Sequence, residues 1–252
     1  MILAIVQARM GSVRLPGKVM KNIGGRPLIG YMLNRLSNCK CIDKTILAIP
    51  QGADNDPLAD YVTNLGFEVF RGSENDVLER FTLAARLYQP SAIVRLTGDC
   101  VLIDADIVDS MIKLYEQSGA DYAWVDSSFA EGLDAEILSF AALEAAYSEA
   151  TFASEREHLT QFIHKHPDRF LRVPLRNEVD DSTYRIVVDD PEDFELASRI
   201  IEYFEERNAG IYYPFSEVKE FLNANPKLFA LNRHIIRNEG LVKSLANDKK
   251  VK

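Results

Sequence analysis

Four times in the first 119 residues, a short aliphatic run gives way to a segment with apolar residues at helical spacing. ILAIV (2–6), TILAIP (45–50), FEVFR (67–71) and AIVRL (92–96) read as strands. PLIGYMLNRLSN (27–38), DPLADYVTNLG (56–66), SENDVLERFTLAARLY (73–88) and DADIVDSMIKLYEQSG (104–119) read as helices. In the third helix Ser73 is the expected N-cap, with Asp76 in the first turn. When helices separate successive strands, the strands run parallel, and the helices cover both faces of the sheet. The strands are nearly unbroken apolar runs, as burial on both faces requires. The expected class is α/β, with a mostly parallel sheet between helical layers.

Past Asp126 the rhythm loosens. Residues 127–140 read as a loop entering a strand, AALEAAYSEA and SEREHLTQFIHKHP as helices, and FLRVPL (170–175) and YRIVV (184–188) as strands. Pro191 opens a helix over 191–207, two short helices follow between Tyr213 and Leu231, and NDKKVK reads as a frayed tail. A single domain over 1–235 is expected, with a substrate- or dimer-facing subregion at 126–183 and a C-terminal extension at 236–252. The aromatic residues Phe194, Tyr203 and Phe204 fit a helix core better than a base-stacking surface.

No run of about 18 apolar residues offers a membrane span. The three cysteines include no CxxC pair and have no histidine at zinc spacing, so a reduced, cytoplasmic setting is expected. A net charge of -9 argues against non-specific nucleic-acid binding. The charge is unevenly placed. Residues 1–42 carry seven Lys or Arg and no Asp or Glu, leaving 22 basic against 38 acidic side chains in the remainder. A cationic first segment on an acidic body suits a small, highly charged anion held at one place.

In open α/β sheets, ligands gather beyond the carboxyl ends of the strands. The first strand runs into QARMGSVRLPGK (7–18), AIVRL into TGDCVLID, and YRIVV into DDPEDF. The first loop is not a Walker phosphate loop. Five residues separate Gly11 from Gly17 where four are needed, and Val19 stands where a hydroxyl should follow the lysine. A GxGxxG fingerprint is absent too. Backbone amides near Gly11 and Ser12, with Arg9, Arg14 and Lys18 as counter-charges, can still hold phosphates. Asp190 is the natural cap before Pro191, which leaves Asp189 free of that duty. Asp99 and Asp189, at neighbouring strand ends opposite a phosphate loop, make a natural Mg²⁺ site. Downstream, Asp134 and Glu136 alternate with Glu131 on one side of an extended segment, and Arg156 and His158 could meet an acceptor's carboxylate or phosphate.

IVQARMGSVRLPGK resembles the opening signature of sugar cytidylyltransferases, the enzymes that make CMP-activated sialic acids and ketodeoxyoctulosonate. It is most similar to their spore coat polysaccharide biosynthesis branch. The likeness continues through GGRPLIGYMLNRL, RGSENDVLERF, RLTGDCVLID, EGLDAEILSF, SEREHLTQFI and VVDDPEDFEL, in order, over roughly residues 2–200. One departure is Val101, where the pattern expects proline.

The resemblance implies a nucleotidyltransferase fold akin to the GT-A type, CTP and a sugar acid as substrates, Mg²⁺, and a homodimer. It implies Arg9 and Lys18 as triphosphate-binding cations, with Asp99 also catalytic. Asp99 and Asp189 would be metal ligands, and main chain of Ala8 to Ser12 with Asp76 would hold the base. Two alternatives stay open: a sugar-1-phosphate nucleotidyltransferase using another triphosphate, and a non-catalytic nucleotide-binding module of a glycan-assembly complex.

Overall fold

The computed structural model describes residues 1–207 and 210–251. Strand β1 (Ile2–Gln7) leads through the basic loop and a 3₁₀ turn (Lys18–Met20) into a small hairpin, β2 (Asn22–Ile23) and β3 (Arg26–Pro27). Helix α1 (Leu28–Leu36), β4 (Lys44–Pro50), α2 (Asp56–Asn64), β5 (Glu68–Gly72), α3 (Val77–Tyr88), β6 (Ala92–Thr97) and α4 (Ala105–Ser118) follow. Next come β7 (Tyr122–Val125), β8 (Glu136–Ser139), α5 (Phe140–Glu149), α6 (Ala153–Glu157), α7 (Gln161–Lys165) and β9 (Arg172–Leu175). The chain closes with α8 (Pro191–Glu206), α9 (Phe215–Ala224), α10 (Pro226–Phe229) and α11 (Glu239–Ala246).

The central sheet has the order β5-β4-β1-β6-β8-β7-β9. Only β8 runs against its neighbours, pairing antiparallel with both β6 and β7. Alternate residues of β1 face opposite layers. Ala4 and Val6 pack with α1, α2, α4 and α8, while Leu3 and Ile5 pack with α3, α5 and α7. The expected mostly parallel sheet between two helical layers is therefore present.

Several local expectations need correction. The N-cap of α3 is Asp76, whose Oδ1 accepts from Glu79 N at 2.8 Å, while Ser73 Oγ instead accepts from Asp76 N at 3.1 Å. The helical stretch 154–167 breaks at His158, whose ψ of 79° cannot continue a helix. Tyr122–Val125, a strand too short to stand out in the sequence, pairs with both β8 and β9.

YRIVV is extended but joins no ladder, because the place beside β6 is taken by β8. Its amides are bound by loops instead: Ile186 N donates to Glu131 O (2.7 Å) and Val188 N to Asp99 O (3.0 Å). Gly132 makes this approach possible, since at φ +106° an added Cβ would sit 2.5 Å from Val187 N.

The C-terminal segment is not frayed within the described residues. Asp248 accepts from Ser154 N and Oγ at 2.9 and 2.7 Å, and Val251 N donates to Thr151 O at 2.7 Å. Phe204 is buried in the core against Tyr213, with ring centroids 3.8 Å apart; Phe194 and Tyr203 pack around the same core.

Candidate active site

The parallel register places Gln7 of β1 level with Thr97 of β6, so both strands end on one line. Beyond that line the backbones stay in contact, with Gly98 N donating to Gln7 O at 2.8 Å. A Cβ on Gly98 would lie 3.0 Å from Ala8 Cβ and 3.3 Å from Gln7 O, so only glycine lets the two loops run this close. Val188 N on Asp99 O brings the third chain segment to the same point. Positions 7–18, 99 and 189 thus meet at the carboxyl edge of the sheet.

The basic loop is shaped from within and below. Ser12 N and Gly17 N both donate to Met10 O (2.9 and 3.1 Å), and the buried Asn55 side chain accepts from Met10 N at 3.0 Å. The amides of Gly11, Val13 and Arg14 have no protein acceptor among the described residues. They remain available to a bound anion.

Lys18 lies at the centre of the charges. Its Nζ donates to Asp99 Oδ2 at 2.7 Å and Asp189 Oδ1 at 2.6 Å. Burial works against the ammonium, but the two carboxylates outweigh it and raise the Lys18 pKa. Asp99 shows the converse: burial disfavours its charge, and Lys18 still holds it below the usual carboxylate range. Arg14 closes the network, 3.0 Å from Asp189 and 2.6 Å from Asp190.

Asp189 is held by a second, deeper cluster. Asp193 receives a two-point contact from Arg185 at 2.9 and 2.8 Å and accepts from both Asp189 N and Asp190 N at 3.0 Å. The other side of Arg185 pairs with Glu131 at 2.6 Å.

Two cavities meet across these side chains. One, of about 490 Å³, is lined by the loop (Ala8, Arg9, Ser12), by Arg80 of α3, and by Lys18 and Asp99. Burial, with Arg9 nearby, lowers the Arg80 pKa to about 10. The other, of about 610 Å³, is walled by Tyr122 and Trp124 of β7, by Glu136, and by the C-terminal stretch 236–241. Tyr122 and Trp124 stack with centroids 5.2 Å apart, and His164 meets both edge-on.

Of the residues expected at a nucleotide site, Ala8, Arg9, Ser12, Arg14 and Lys18 line the first cavity. Gly11 is not among its lining residues but lies close to Glu74, which is, and Asp76 caps α3 while holding Arg156 Nε at 2.8 Å. Arg156 therefore braces α6 against α3 and lines neither cavity. Asp134, Glu136 and His158 do line the second cavity. Asp134 accepts from Gly132 N at 2.7 Å, and Glu136 pairs with Arg95 and accepts from Thr160 Oγ1 at 2.8 Å. Five cavity-lining cations escaped the expectations drawn from sequence: Arg80 and Arg95 around the first cavity, and Arg176, Arg185 and Arg237 around the second. The single charged residue inside the apolar strand AIVRL was the available signal for Arg95.

Residues 3–224 match the family model described as cytidylyltransferase. The chain is 33% identical to the spore coat polysaccharide biosynthesis protein SpsF of Bacillus subtilis, over 89% of this chain and 95% of that protein. It is 30% identical to a 3-deoxy-manno-octulosonate cytidylyltransferase of Anaeromyxobacter, over 46% of this chain and 47% of that one. Among solved structures, a cytidylyltransferase from Leptospira borgpetersenii superposes with a TM-score of 0.85 at 34% identity, covering 90% of this chain and 96% of the other. A loop of free amides and cations, facing two carboxylates at the carboxyl edge of a parallel sheet, is thus found in a chain that belongs to the cytidylyltransferase family.

Proposed function

We propose that the protein transfers the cytidylyl group of CTP to a hydroxyl of a sugar acid, giving a CMP-sugar and pyrophosphate for surface polysaccharide or glycan assembly. The observation that carries this reading is the position of Asp99, Asp189 and Arg14, which line both cavities at once. A group-transfer enzyme needs donor and acceptor on opposite sides of the group that moves. The likeness to a 3-deoxy-manno-octulosonate enzyme and to a spore coat polysaccharide protein supports the sugar-acid and polysaccharide parts.

The first cavity takes the nucleotide. Free amides of Gly11, Val13 and Arg14 and the cations Arg9 and Lys18 counter the triphosphate charge. The second cavity takes the acceptor, with Asp134 and Glu136 available to its hydroxyls. The acceptor hydroxyl oxygen forms a bond to the α-phosphorus and gives up its proton to solvent, the bond from that phosphorus to the bridging oxygen breaks, and pyrophosphate leaves. Positioning and charge neutralisation do most of this work.

Asp99 and Asp189 fit a magnesium ion, because both already direct an oxygen at one shared cation, the Lys18 ammonium. Bound there, magnesium would neutralise phosphate charge and acidify the acceptor hydroxyl. Lys18 is the shared counter-ion of the two carboxylates and, were another cation to take that place, would be available to phosphate.

The test is pyrophosphate release with Mg²⁺, each of the four common NTPs, and panels of sugar acids and sugar 1-phosphates. Release is expected only with CTP and a sugar acid. Asp99→Asn should lower it by roughly 10²–10³-fold, the scale of losing one preorganised electrostatic partner. Release with a sugar 1-phosphate would instead indicate an NDP-sugar product. Nucleotide binding without release would point to a non-catalytic module, and no nucleotide binding at all would overturn the reading.

A further inference from the structure

Six side chains line both cavities: Arg14, Arg95, Thr97, Asp99, His158 and Asp189. Four are engaged with protein partners. Arg14 holds Asp189 and Asp190, Asp99 and Asp189 share Lys18, and Thr97 Oγ1 lies 3.2 Å from Cys100 Sγ. The other two each keep a buried nitrogen without a hydrogen-bond partner among the described residues, Arg95 Nε and His158 Nε2. The nearest carboxylate to His158 Nε2, that of Glu157, is 3.8 Å away, beyond hydrogen-bond range.

Buried donors are almost always satisfied, so two orphans at the seam between two cavities call for a ligand. They are also held firmly. Arg95 extends from the middle of β6 and is fixed by Glu136, which is anchored in turn by the hydroxyls of Tyr122 and Thr160. His158 occupies the break between α6 and α7, where its own amide donates to Ser154 O at 2.8 Å. Burial, and Arg95 nearby, lower the His158 pKa, which favours a neutral imidazole that, as the Nε2–H tautomer, would supply one donor without a second full charge. A guanidinium N–H and an imidazole N–H lining the same seam suit an oxygen anion.

We infer that Arg95 Nε and His158 Nε2 together bind one oxyanion of the reacting pair at the seam, either the α-phosphate of the nucleotide or the carboxylate of the acceptor. The inference rests on the transfer reaction proposed above. It adds Arg95 to the site and turns His158 from an acceptor contact into a group that faces both substrates.

Three variants test it: His158→Phe, which keeps the ring volume without a donor; His158→Gln, which restores an N–H; and Arg95→Lys, which keeps a charge for Glu136 but removes the guanidinium fork. Calorimetric titration with CMP and with cytidine, alongside the acceptor KM measured with the sugar acid that supports turnover, separates the two sources. If the α-phosphate is the ligand, His158→Phe and Arg95→Lys weaken CMP roughly tenfold to a hundredfold, the scale of one hydrogen bond to a charged group. Cytidine binding stays unchanged, and His158→Gln recovers most of the loss. If the acceptor carboxylate is the ligand, CMP binding holds and the acceptor KM rises by the same factor while kcat changes little.

Unchanged CMP affinity together with unchanged acceptor KM, in variants that retain the wild-type melting temperature, overturns the inference. Should Arg95→Lys fail to fold, the two His158 variants decide alone. Should the wild type turn over no acceptor, the transfer reaction fails, and unchanged CMP affinity then suffices to overturn this inference as well.

Discussion

Lys18→Met replaces the cation that Asp99 and Asp189 share with an uncharged chain of similar length. The side chains of Lys18, Asp99 and Asp189 are 11%, 25% and 24% exposed, so the carboxylates are only partly relieved by water. Breaking a fully buried pair costs about 3–5 kcal/mol. Partial exposure, and Arg14 still beside Asp189, reduce this to about 2 kcal/mol. For a chain of this size that corresponds to a melting temperature lower by roughly 4–8 °C.

On the function proposed above the same substitution also removes a triphosphate contact, so pyrophosphate release should fall by about 10²–10³-fold. Magnesium separates the two effects. With Lys18 gone Asp99 loses its cation and Asp189 keeps only Arg14 and Arg185, so the ion should restore melting temperature in the variant while barely moving the wild type in the absence of nucleotide.

The pH dependence follows from the same pair. Asp99, whose folded pKa is depressed, contributes stability above its unfolded value near pH 4, and that contribution is lost as the pH falls through the folded value. Lys18, whose folded pKa is raised, contributes fully below about pH 10.4, and its share is lost as the pH rises through the folded value. Lys18→Met should flatten both limbs of the stability profile. Calorimetric melting across pH, with and without Mg²⁺, checks this. A variant as stable as the wild type and indifferent to Mg²⁺ would refute the shared-cation reasoning.

Gly98→Ala should destabilise by about 1–3 kcal/mol through contact with Ala8, Ile29 and Gln7 O, and should weaken CTP by displacing the loop; denaturant unfolding and calorimetry measure the two. Asp193→Asn leaves the buried Arg185 short of a partner and loosens the capped turn that carries Asp189, so a loss of about 3 kcal/mol in urea should accompany weaker Mg²⁺ dependence of turnover. Asp248→Ala removes the anchor of the C-terminal segment on Ser154 and Lys165, and limited proteolysis should then cut within 236–251 faster while CMP affinity is unchanged.

Five of the sheet's strands, β1, β4, β5, β6 and β9, could be read from the sequence within a residue or two at either end, and so could the helices α1, α2, α4, α5 and α8, while α3 begins four residues later than its pattern suggested. Each carries its own signal: an apolar run that must be buried, or an amphipathic stripe between recognisable caps. Lys18, Asp99 and Asp189 were legible for a related reason, since polar residues placed where buried strands end have few structural uses. Asp76, expected at the base from the family resemblance, and Arg156, expected at the acceptor from its place on a helix, are engaged elsewhere. Both were read as facing substrate, yet they satisfy each other across α3 and α6, because charges distant in the chain can pair only once the helices have packed.

By itself the sequence determined the α/β alternation, the basic loop, the paired carboxylates and the likeness that leads to the family, all properties of local pattern. The tertiary structure alone decided that β8 takes the place beside β6 and leaves YRIVV bound by loops, which sets Asp189 next to Asp99. It also decided that residues 236–241 wall the second cavity and that Arg95 and His158 share the seam. These depend on contacts across tens to hundreds of residues, where competition among packed elements, not local preference, fixes which groups meet.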